Sequence, residues 1–249
     1  MGAIPADYSP AADLLANKII LVTGAGDGIG KVAATTYASH GATVILLGRT
    51  VAKLESVYDE IEAAGHPLPI IFEMDLLTAS GEDYTALAEG ITEQFGRLDG
   101  LLHNASILGE RSPIESAKIK EWHDVMQVNV NAQMMLTRAL LPLLQVAPSA
   151  SVIFTSSGVG RTGRAYWGAY AVSKFATEGL MQVLADELEN TSEVRVNSLD
   201  PGATRTAMRT AAYPAEDPNT LKTAADIMPA YLYLMGDDSR TLNGQALDA

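Results

Sequence analysis

The segment that defines this chain is Lys18-Ile-Ile-Leu-Val-Thr-Gly-Ala-Gly-Asp-Gly-Ile-Gly30. Its apolar beginning predicts a short buried strand, and a helix is predicted from about residue 29 to 40. Between them, glycines stand at positions 24, 26, 28 and 30, so the spacing is Thr-Gly-x-x-x-Gly-x-Gly and not the usual Gly-x-Gly-x-x-Gly. Backbone N–H groups and the helix dipole face outward at such a turn and favour a phosphate. The segment therefore predicts a nucleotide-binding strand, turn and helix.

Apolar runs and helical patterns alternate along the rest of the chain. Further strands are predicted at 41–49, 69–73, 99–103, 151–155, 194–200 and 245–248, and further helices at 51–64, 78–95, 119–145, 170–190 and 224–235. Pro142 is expected to bend or end its helix. This order predicts an α/β fold with a single doubly wound, Rossmann-type parallel sheet of about seven strands and helices on both faces. One domain is expected over 1–249, with a lead-in at 1–17 and a substrate lid at 207–222.

The composition is that of an ordinary globular protein, with 249 residues of which 47 % are apolar and 19 % charged. The chain has 17 basic and 30 acidic residues and a net charge of −13, which argues against nucleic acid or an anionic membrane as a partner. It has no cysteine, and its four histidines are scattered without metal-ligand spacing. Neither a signal peptide nor a membrane-spanning run is recognisable. We therefore expect a cytoplasmic protein without a metal site.

A second informative segment runs from Ser157 to Lys174. Tyr170 and Lys174 are four residues apart in a predicted helix, so their side chains can lie on one face. A phenol has a pKa near 10 in water, and a neighbouring ammonium lowers it, so Tyr170 is predicted to exchange a proton near neutral pH. Ser157 follows a predicted strand, where its hydroxyl could hold a carbonyl oxygen. Taken alone, this Tyr-x-x-x-Lys spacing is also common as a solvated pair, so the interpretation depends on the other motifs.

The ends of the predicted strands supply candidates for a dinucleotide site. Arg49 follows the second strand and no acid occurs before Glu55, which favours NADP over NAD because an arginine accommodates a 2′-phosphate. Asp27 in the glycine turn counts against this preference, so NAD stays open. Asp75 ends the third strand, where it could accept a hydrogen bond from adenine or cap the next helix. Asn104, after the fourth strand, is a candidate clamp between strands.

Polar residues also stand inside predicted secondary structure. Asn129 and Asn131 fall in the middle of the helix at 119–145, where asparagine is a poor helix former. This placement suggests a local role for Asn129, such as a kink that binds water, whereas Asn131 is expected to be an exposed polar position. His103 is expected to be a structural hydrogen-bond partner and not a catalytic base.

Six short motifs occur together in one order, namely Thr23-Gly24-x-x-x-Gly28-Ile29-Gly30, Asn104-Ala105, Asn129, Ser157, Tyr170-x-x-x-Lys174 and Pro201-Gly202-x-x-x-Thr206. Together they resemble the short-chain dehydrogenase/reductase family, in its compact one-domain branch, from about residue 18 to 248. The segments 128–132 and 234–239 are similar to the YciK-like bacterial oxidoreductases of that family. The chain departs from the family at His103 and Ser106, where Asn and Gly are more frequent.

The resemblance implies an oxidoreductase that transfers hydride between a nicotinamide cofactor and a carbonyl or alcohol carbon. It implies that Tyr170 is the general acid/base and that Lys174 lowers its pKa and holds the nicotinamide ribose. Ser157 would orient the substrate oxygen, and Asn129 would support a water relay to Lys174. The cofactor-binding residues are expected to be Gly24, Asp27, Gly28, Ile29, Gly30, Arg49, Asp75, Leu76, Asn104, Ala105, Tyr170, Lys174, Pro201, Gly202, Thr204 and Thr206.

The resemblance also implies partners, a small-molecule substrate and a second copy of the chain. A homodimer or homotetramer is expected through the helices at 119–145 and 170–190. A non-catalytic dinucleotide sensor or scaffold is the alternative to an enzyme, although such proteins typically lack the Tyr or Lys that this chain retains. An epimerase or dehydratase of the longer branch fits less well, because its glycine spacing differs.

The substrate is left undefined by these motifs. One interpretation is that arginine and aromatic side chains around the site accept an aromatic or anionic end of the substrate. The other is that the arginines serve the cofactor or an oligomer contact. The residues concerned are Arg161, Arg164, Tyr166, Trp167, Arg205 and Arg209.

Overall fold

A computed structural model describes residues 4–5 and 7–249, and within them seven parallel strands form one sheet in the order β3-β2-β1-β4-β5-β6-β7. The strands are β1 (Ile19–Thr23), β2 (Thr43–Gly48), β3 (Ile70–Glu73), β4 (Gly100–His103), β5 (Ala150–Thr155), β6 (Val194–Asp200) and β7 (Ala246–Asp248). The central strands are rich in Val, Ile and Leu, as expected for a parallel sheet covered on both faces. The predicted doubly wound sheet is confirmed.

Helices cover both faces of this sheet. Within the described residues they are α1 (Gly28–Ser39), α2 (Val51–Ala63), α3 (Gly81–Phe95), α4 (Ile119–Met126), α5 (Ala132–Val146), α6 (Gly168–Leu188), α7 (Ala207–Ala212) and α8 (Met228–Met235). Helices α3, α5 and α6 bury Leu87, Leu136 and Met181 in the core on one face. Helices α1, α2 and α8 form the core on the other face, around Leu54 and Tyr231.

The order of the strands reverses between β1 and β4, which lie side by side although β2 and β3 separate them in sequence. Thr23 at the end of β1 holds the two strand ends together. Its hydroxyl donates to the carbonyl of Leu102 at 3.2 Å and accepts from the backbone N–H groups of Asn104 and Ala105 at 2.9 and 3.0 Å. The segments that follow β1 and β4 lead away from each other, and this leaves a crevice at the carboxyl edge of the sheet.

The long helix predicted at 119–145 is interrupted by a π-helical turn at Gln127–Asn131, between α4 and α5. Asn129 in this turn is fully buried, whereas Asn131 is exposed as predicted. Of the two effects expected of Pro142, a bend or an end of the helix, the end is not observed, because α5 continues to Val146. Proline is tolerated there because it lies on the exposed side, where water can hydrate the carbonyl group that it leaves without an N–H partner.

Helix α3 begins three residues later than predicted, at Gly81. The reason is a capping box, in which the Ser80 hydroxyl accepts from the Asp83 N–H at 3.4 Å and the Asp83 carboxylate accepts from the Ser80 N–H at 2.7 Å. Asp75 therefore does not cap this helix. Its carboxylate instead accepts from the backbone N–H of Leu77 at 3.0 Å, which shapes the turn after β3.

Part of the predicted lead-in at 1–17, namely residues 1–3 and 6, lies outside the described residues. In the remainder, the Tyr8 hydroxyl donates to the Asp238 carboxylate at 2.7 Å and Leu15 is fully buried. The lead-in thus packs beside the end of α8. Over residues 4–5 and 7–249, no helix has both the length and the apolar character needed to cross a membrane. In the same residues, no three His, Cys, Asp or Glu side chains converge as metal ligands would.

Candidate active site

A cavity of about 530 Å³ opens at the carboxyl ends of the strands, over the crevice between β1 and β4. Sixteen of the residues singled out from the sequence line it, from the glycine turn at one end to the catalytic candidates at the other. They are Gly24, Asp27, Gly28, Ile29, Arg49, Asp75, Leu76, Asn104, Ala105, Ser157, Tyr170, Lys174, Pro201, Gly202, Thr204 and Thr206. Gly30 and Asn129 do not line the cavity, but each packs against residues that do.

The glycine turn leaves no room for side chains where a phosphate would approach. Gly24 and Gly28 have positive φ angles of 68° and 53°, which only glycine adopts readily. At Gly30 an added Cβ would lie 2.2 Å from the carbonyl oxygen of Gly24 and 2.6 Å from the side-chain nitrogen of Asn104. Helix α1 starts within this turn, so its first N–H groups point toward the cavity. These residues fit the diphosphate of a dinucleotide.

Asp27, which counted against NADP, is paired with a cation. Its carboxylate accepts from the Gly28 N–H at 2.8 Å and from the Lys53 ammonium at 2.5 Å, and the Lys53 bond holds the pKa of Asp27 below its usual value. Arg49 lies in the same part of the wall, and no carboxylate of the described residues lies within 4.0 Å of it. Lys53 was missed by sequence reasoning, although its place in the first turn of α2, four residues after Arg49, was a usable signal.

Tyr170 and Lys174 lie on one face of α6, as predicted, and both are buried against the cavity. The Lys174 ammonium lies 5.5 Å from the centre of the Tyr170 ring and donates to the carbonyl of Thr155 at 2.8 Å. Ser157 follows β5, and its hydroxyl lies near enough to the Tyr170 phenol to lower the pKa of that phenol. A hydroxyl, a phenol and an ammonium thus share one wall, which suits binding and protonation of a carbonyl oxygen.

The prediction that Lys174 lowers the pKa of Tyr170 is wrong for this geometry. Burial and the nearby Asp200 carboxylate raise the pKa of Tyr170 to about 12, and the neighbouring Ser157 hydroxyl opposes them only in part. Burial also lowers the pKa of Lys174 to about 8, against the opposing effect of Asp200 and Glu178. The ammonium is directed at the Thr155 carbonyl and not at the phenol, so desolvation dominates both groups.

Two carboxylates near Lys174 were not anticipated from the sequence. Asp200 ends β6, lines the cavity and accepts from the Gly202 N–H at 2.9 Å. Glu178 is buried one helical turn after Lys174 and accepts from the hydroxyls of Ser156 and Ser198 at 2.5 and 2.6 Å. Both carboxylates favour the charged form of the buried Lys174. The i, i+4 spacing of Lys174 and Glu178 was the one signal in the sequence.

Asn129 reaches the site indirectly. Its amide accepts from the backbone N–H of Ile107 at 2.8 Å and donates to the Ile107 carbonyl and the Ser173 hydroxyl, both at 3.0 Å. It therefore fixes the segment after β4 against α6, while the water relay stays a prediction. His103 is buried and hydrogen-bonded to the Thr137 hydroxyl at 2.8 Å, and burial lowers its pKa to about 3. This agrees with a structural role for His103.

The arginines predicted around the substrate separate into two groups. Arg161 binds the Asp248 carboxylate at 2.5 Å and the Leu247 carbonyl at 2.8 Å, which ties it to β7. Arg205 donates to the carbonyl of Pro218 at 2.7 Å. Arg161, Arg164 and Arg205 do not line the cavity. Because Arg161 and Arg205 are also bonded to carboxylate and carbonyl groups of the chain, both the substrate and the cofactor interpretations lose support for these two. Trp167 and Arg209 do line the cavity, beside apolar residues that the sequence did not single out, namely Leu108, Met208 and Ala212.

The fold and the site together define a dinucleotide-dependent oxidoreductase. The short chain dehydrogenase family model matches residues 18–217, so the chain belongs to the short-chain dehydrogenase/reductase family of NAD(P)-dependent enzymes. The uncharacterized oxidoreductase YciK of Escherichia coli K12 is 58 % identical over 242 residues, which cover 97 % of this chain and 95 % of that protein. The resemblance stated from the motifs is confirmed.

Two solved structures extend this comparison to the cofactor. A short chain dehydrogenase from Shigella flexneri 2a complexed with NADP has a TM-score of 0.93 and 57 % identity, and the match covers 96 % of this chain and 99 % of that one. A short chain dehydrogenase from Escherichia coli CFT073 complexed with NADPH has a TM-score of 0.94 and 58 % identity, with coverages of 96 % and 99 %. The preference for NADP over NAD inferred from Arg49 agrees with both complexes.

Proposed function

We propose that this chain interconverts a carbonyl compound and its alcohol with NADP, and that NADPH favours the reduction. When bound, the nicotinamide ring supplies or accepts the hydride. The observation that supports this function is one cavity with a glycine cradle at one end and Ser157, Tyr170 and Lys174 at the other. A sensor or scaffold would need the first end but not the second.

Proton transfer is the role of the residues at the catalytic end of the cavity. Ser157 would hold the substrate oxygen while Tyr170, protonated at neutral pH because its pKa is raised to about 12, gives its proton to that oxygen. Lys174, whose ammonium donates to the Thr155 carbonyl, would bind the nicotinamide ribose. Asn129 holds α6 and the segment after β4 together through its hydrogen bonds. We propose that it also supports a chain of water molecules that returns a proton to Lys174.

The remaining wall residues would hold the cofactor and enclose the substrate. Gly24, Gly28 and Ile29 would receive the diphosphate, Asp75 and Leu76 the adenine, Asn104 and Ala105 the adenosine-side ribose, and Pro201, Gly202, Thr204 and Thr206 the nicotinamide end. We propose the segment 207–222 as the lid, because α7 within it supplies four wall residues, Ala207, Met208, Arg209 and Ala212.

The test of this function is a fluorescence titration with NADPH followed by a screen of aldehydes and ketones for loss of NADPH absorbance. We expect binding and turnover of at least one carbonyl class. Binding without turnover over aliphatic, aromatic and cyclic carbonyls would support the sensor or scaffold. Absence of NADPH binding would contradict the assignment of the glycine cradle.

Changes at Arg49 and Lys53 should alter the choice of cofactor. Arg49→Asp is expected to weaken NADPH binding about 10- to 100-fold and to leave NADH binding unchanged or tighter, since it replaces a cation beside the 2′-phosphate with a carboxylate. Lys53→Met should weaken NADPH about tenfold, because Asp27 would lose its partner and repel the phosphate. Titration of both cofactors checks this.

The matched control for these two variants is Lys120→Met. Lys120 lies on α4 and pairs with Asp124 at 2.5 Å, outside the cavity wall. We expect no change in the ratio of NADPH to NADH affinity for it. Equal affinities of the wild-type chain for NADPH and NADH would show that Arg49 does not bind the 2′-phosphate.

We also propose self-association through the helices at 119–145 and 170–190. Met134, Val172, Phe175 and Val183 expose apolar side chains on α5 and α6. Scattered exposed apolar residues are ordinary, but four of them on adjoining helices would gain from burial in a subunit contact. Light scattering should give the mass of a dimer or tetramer, and Phe175→Glu should lower it. A monomeric wild-type chain would contradict this proposal.

A further inference from the structure

Three arginines from separate segments meet at Tyr213, and of these four residues only Arg209 lines the cavity. The guanidinium carbon of Arg209 lies 3.9 Å from the centre of the Tyr213 ring and that of Arg111 lies 5.2 Å from it. Arg164 donates to the Tyr213 hydroxyl at 2.8 Å. Arg111 comes from the connection between β4 and α4, Arg164 from the segment before α6, and Arg209 from α7. We call Arg111, Arg164, Arg209 and Tyr213 the Tyr213 cluster.

The Tyr213 cluster has more positive charge than its neighbours neutralise. Arg209 is paired with Glu216 through two hydrogen bonds of 2.6 Å. For Arg111 and Arg164, residues 4–5 and 7–249 contain no carboxylate within 4.0 Å, and both side chains are exposed. Two guanidinium groups without a carboxylate partner thus lie at the same Tyr213 side chain, in a chain with a net charge of −13. The arrangement is therefore open to an anion.

Aromatic contacts leave the hydrogen-bonding capacity of these arginines free. Arg111 lies against the rings of Trp167 and Tyr213, at 5.4 and 5.2 Å from their centres, which holds the side chain in place without using its N–H donors. A guanidinium held in this way presents a planar fork that matches the two oxygens of a carboxylate or phosphate. Arg164 uses one of its donors on Tyr213 and keeps the others.

An apolar path joins the Tyr213 cluster to the catalytic phenol. Trp167 is almost fully buried, and its ring centre lies 5.8 Å from that of Tyr170 and 5.8 Å from that of Tyr213. Leu108, Met208 and Ala212 continue this apolar surface in the cavity wall. A molecule whose oxygen reaches Tyr170 can therefore lie along Trp167, with its far end at Arg111.

We propose that the substrate carries a carboxylate or phosphate that binds Arg111 and Arg164, separated from its reacting carbonyl by an apolar spacer that packs on Trp167. This inference rests on the proposed carbonyl reduction and adds the substrate class to it. Arg209 is neutralised by Glu216 and has a positioning role, since it holds Tyr213 between the other two arginines. The 4-formylphenyl group is a suitable spacer, because a flat ring can stack along the indole.

The test compares aldehydes that differ only in charge. Reduction of 4-formylbenzoate, 3-(4-formylphenyl)propanoate and 4-formylphenyl phosphate is measured beside that of methyl 4-formylbenzoate and benzaldehyde, with NADPH saturating. We expect kcat/KM for the best anion to exceed that for the methyl ester about 10- to 100-fold, mainly through KM. The carboxylate and phosphate arms show which of the two anions the site prefers.

Substitutions at Arg111 and Arg164 test whether these arginines cause the preference for anionic aldehydes. Arg111→Met and Arg164→Met should each bring the ratio of anion to ester close to one and leave benzaldehyde reduction unchanged, and Arg111→Lys should keep an intermediate ratio. Arg240→Met removes an exposed arginine paired with Asp237, away from the cavity, and should keep the full ratio. A loss of all activity in Arg111→Met that Arg111→Lys does not restore would show a purely structural role and overturn the inference.

A binding measurement separates this inference from the proposed function. Calorimetric titration of 3-phenylpropanoate and 3-phenylpropanamide into the NADP-loaded protein needs no turnover, because neither compound is an alcohol. Tighter binding of the acid, lost in Arg111→Met, supports the anion site even if no aldehyde is reduced. Reduction of benzaldehyde with no preference for anions, and equal binding of the acid and the amide, would overturn the anion site and leave the proposed reaction intact.

Discussion

Replacement of Tyr170 with phenylalanine is expected to lower kcat for carbonyl reduction by about 10²- to 10⁴-fold. The change removes the proton donor and keeps the ring, which packs 5.8 Å from Trp167, so the fold and NADPH affinity should change little. Steady-state kinetics on a carbonyl found active with the wild type, together with an NADPH titration, checks both expectations.

Tyr166→Phe is the matched control, because it makes the same change at an exposed tyrosine four residues earlier. Its activity should stay within about twofold of wild type, as is usual for surface changes. If Tyr170→Phe retained wild-type turnover, another group would have to protonate the substrate.

The reverse reaction, oxidation of the alcohol, should depend on pH because it needs the phenolate form of Tyr170. With a pKa of about 12, the rate of oxidation should rise about tenfold per pH unit through neutrality. Reduction, which uses the protonated phenol, should gain nothing from alkali.

Replacement of Gly30 with alanine is expected to destabilise the fold by about 1–3 kcal/mol and to weaken NADPH binding about tenfold or more. The new Cβ would lie 2.2 Å from the carbonyl oxygen of Gly24 and 2.6 Å from the Asn104 amide nitrogen, so the turn must shift away from α1. Denaturant unfolding measures the first effect, and fluorescence titration with NADPH measures the second.

Gly90→Ala makes the same change on α3, where a Cβ meets nothing within 4 Å. It should stabilise the fold by about 0.5–1 kcal/mol, because alanine is the better helix former, and should leave NADPH affinity unaltered. The two substitutions are thus expected to change stability in opposite directions. Wild-type NADPH affinity in Gly30→Ala would mean that the glycine turn does not receive the diphosphate.

The sequence predicted the sheet and most of the cavity wall because their signals are local. The glycine spacing after β1 and the Tyr-x-x-x-Lys spacing on α6 each lie within one strand, turn or helix, and all parallel strands end at the same edge. Boundaries were less accurate where a short-range bond competed with the apolar pattern. The capping box at Ser80 delayed the start of α3, and the exposed position of Pro142 allowed α5 to continue.

Charge and proton affinity could not be predicted, since they depend on burial and on partners distant in sequence. Lys53 neutralises Asp27 from 26 residues away, and Asp200 at the end of β6 raises the pKa of Tyr170 on α6. The sign of the Tyr170 pKa shift was therefore predicted wrongly from an adjacent lysine alone. Arg111 carries no motif, and only the packing of three separate segments brings it to Tyr213.

The π-helical turn at 127–131 constrains the length of the chain within the long helix. A π-helical turn holds one residue more than the α-helical turn it replaces, so a single-residue deletion there would restore a continuous α-helix and leave Leu136 and Leu140 in the core that now buries them. It would, however, move Asn129 out of reach of Ile107. A deletion in the connection at 109–118 would have no such effect. Length variation during evolution should therefore be tolerated before α4 and selected against within this one turn.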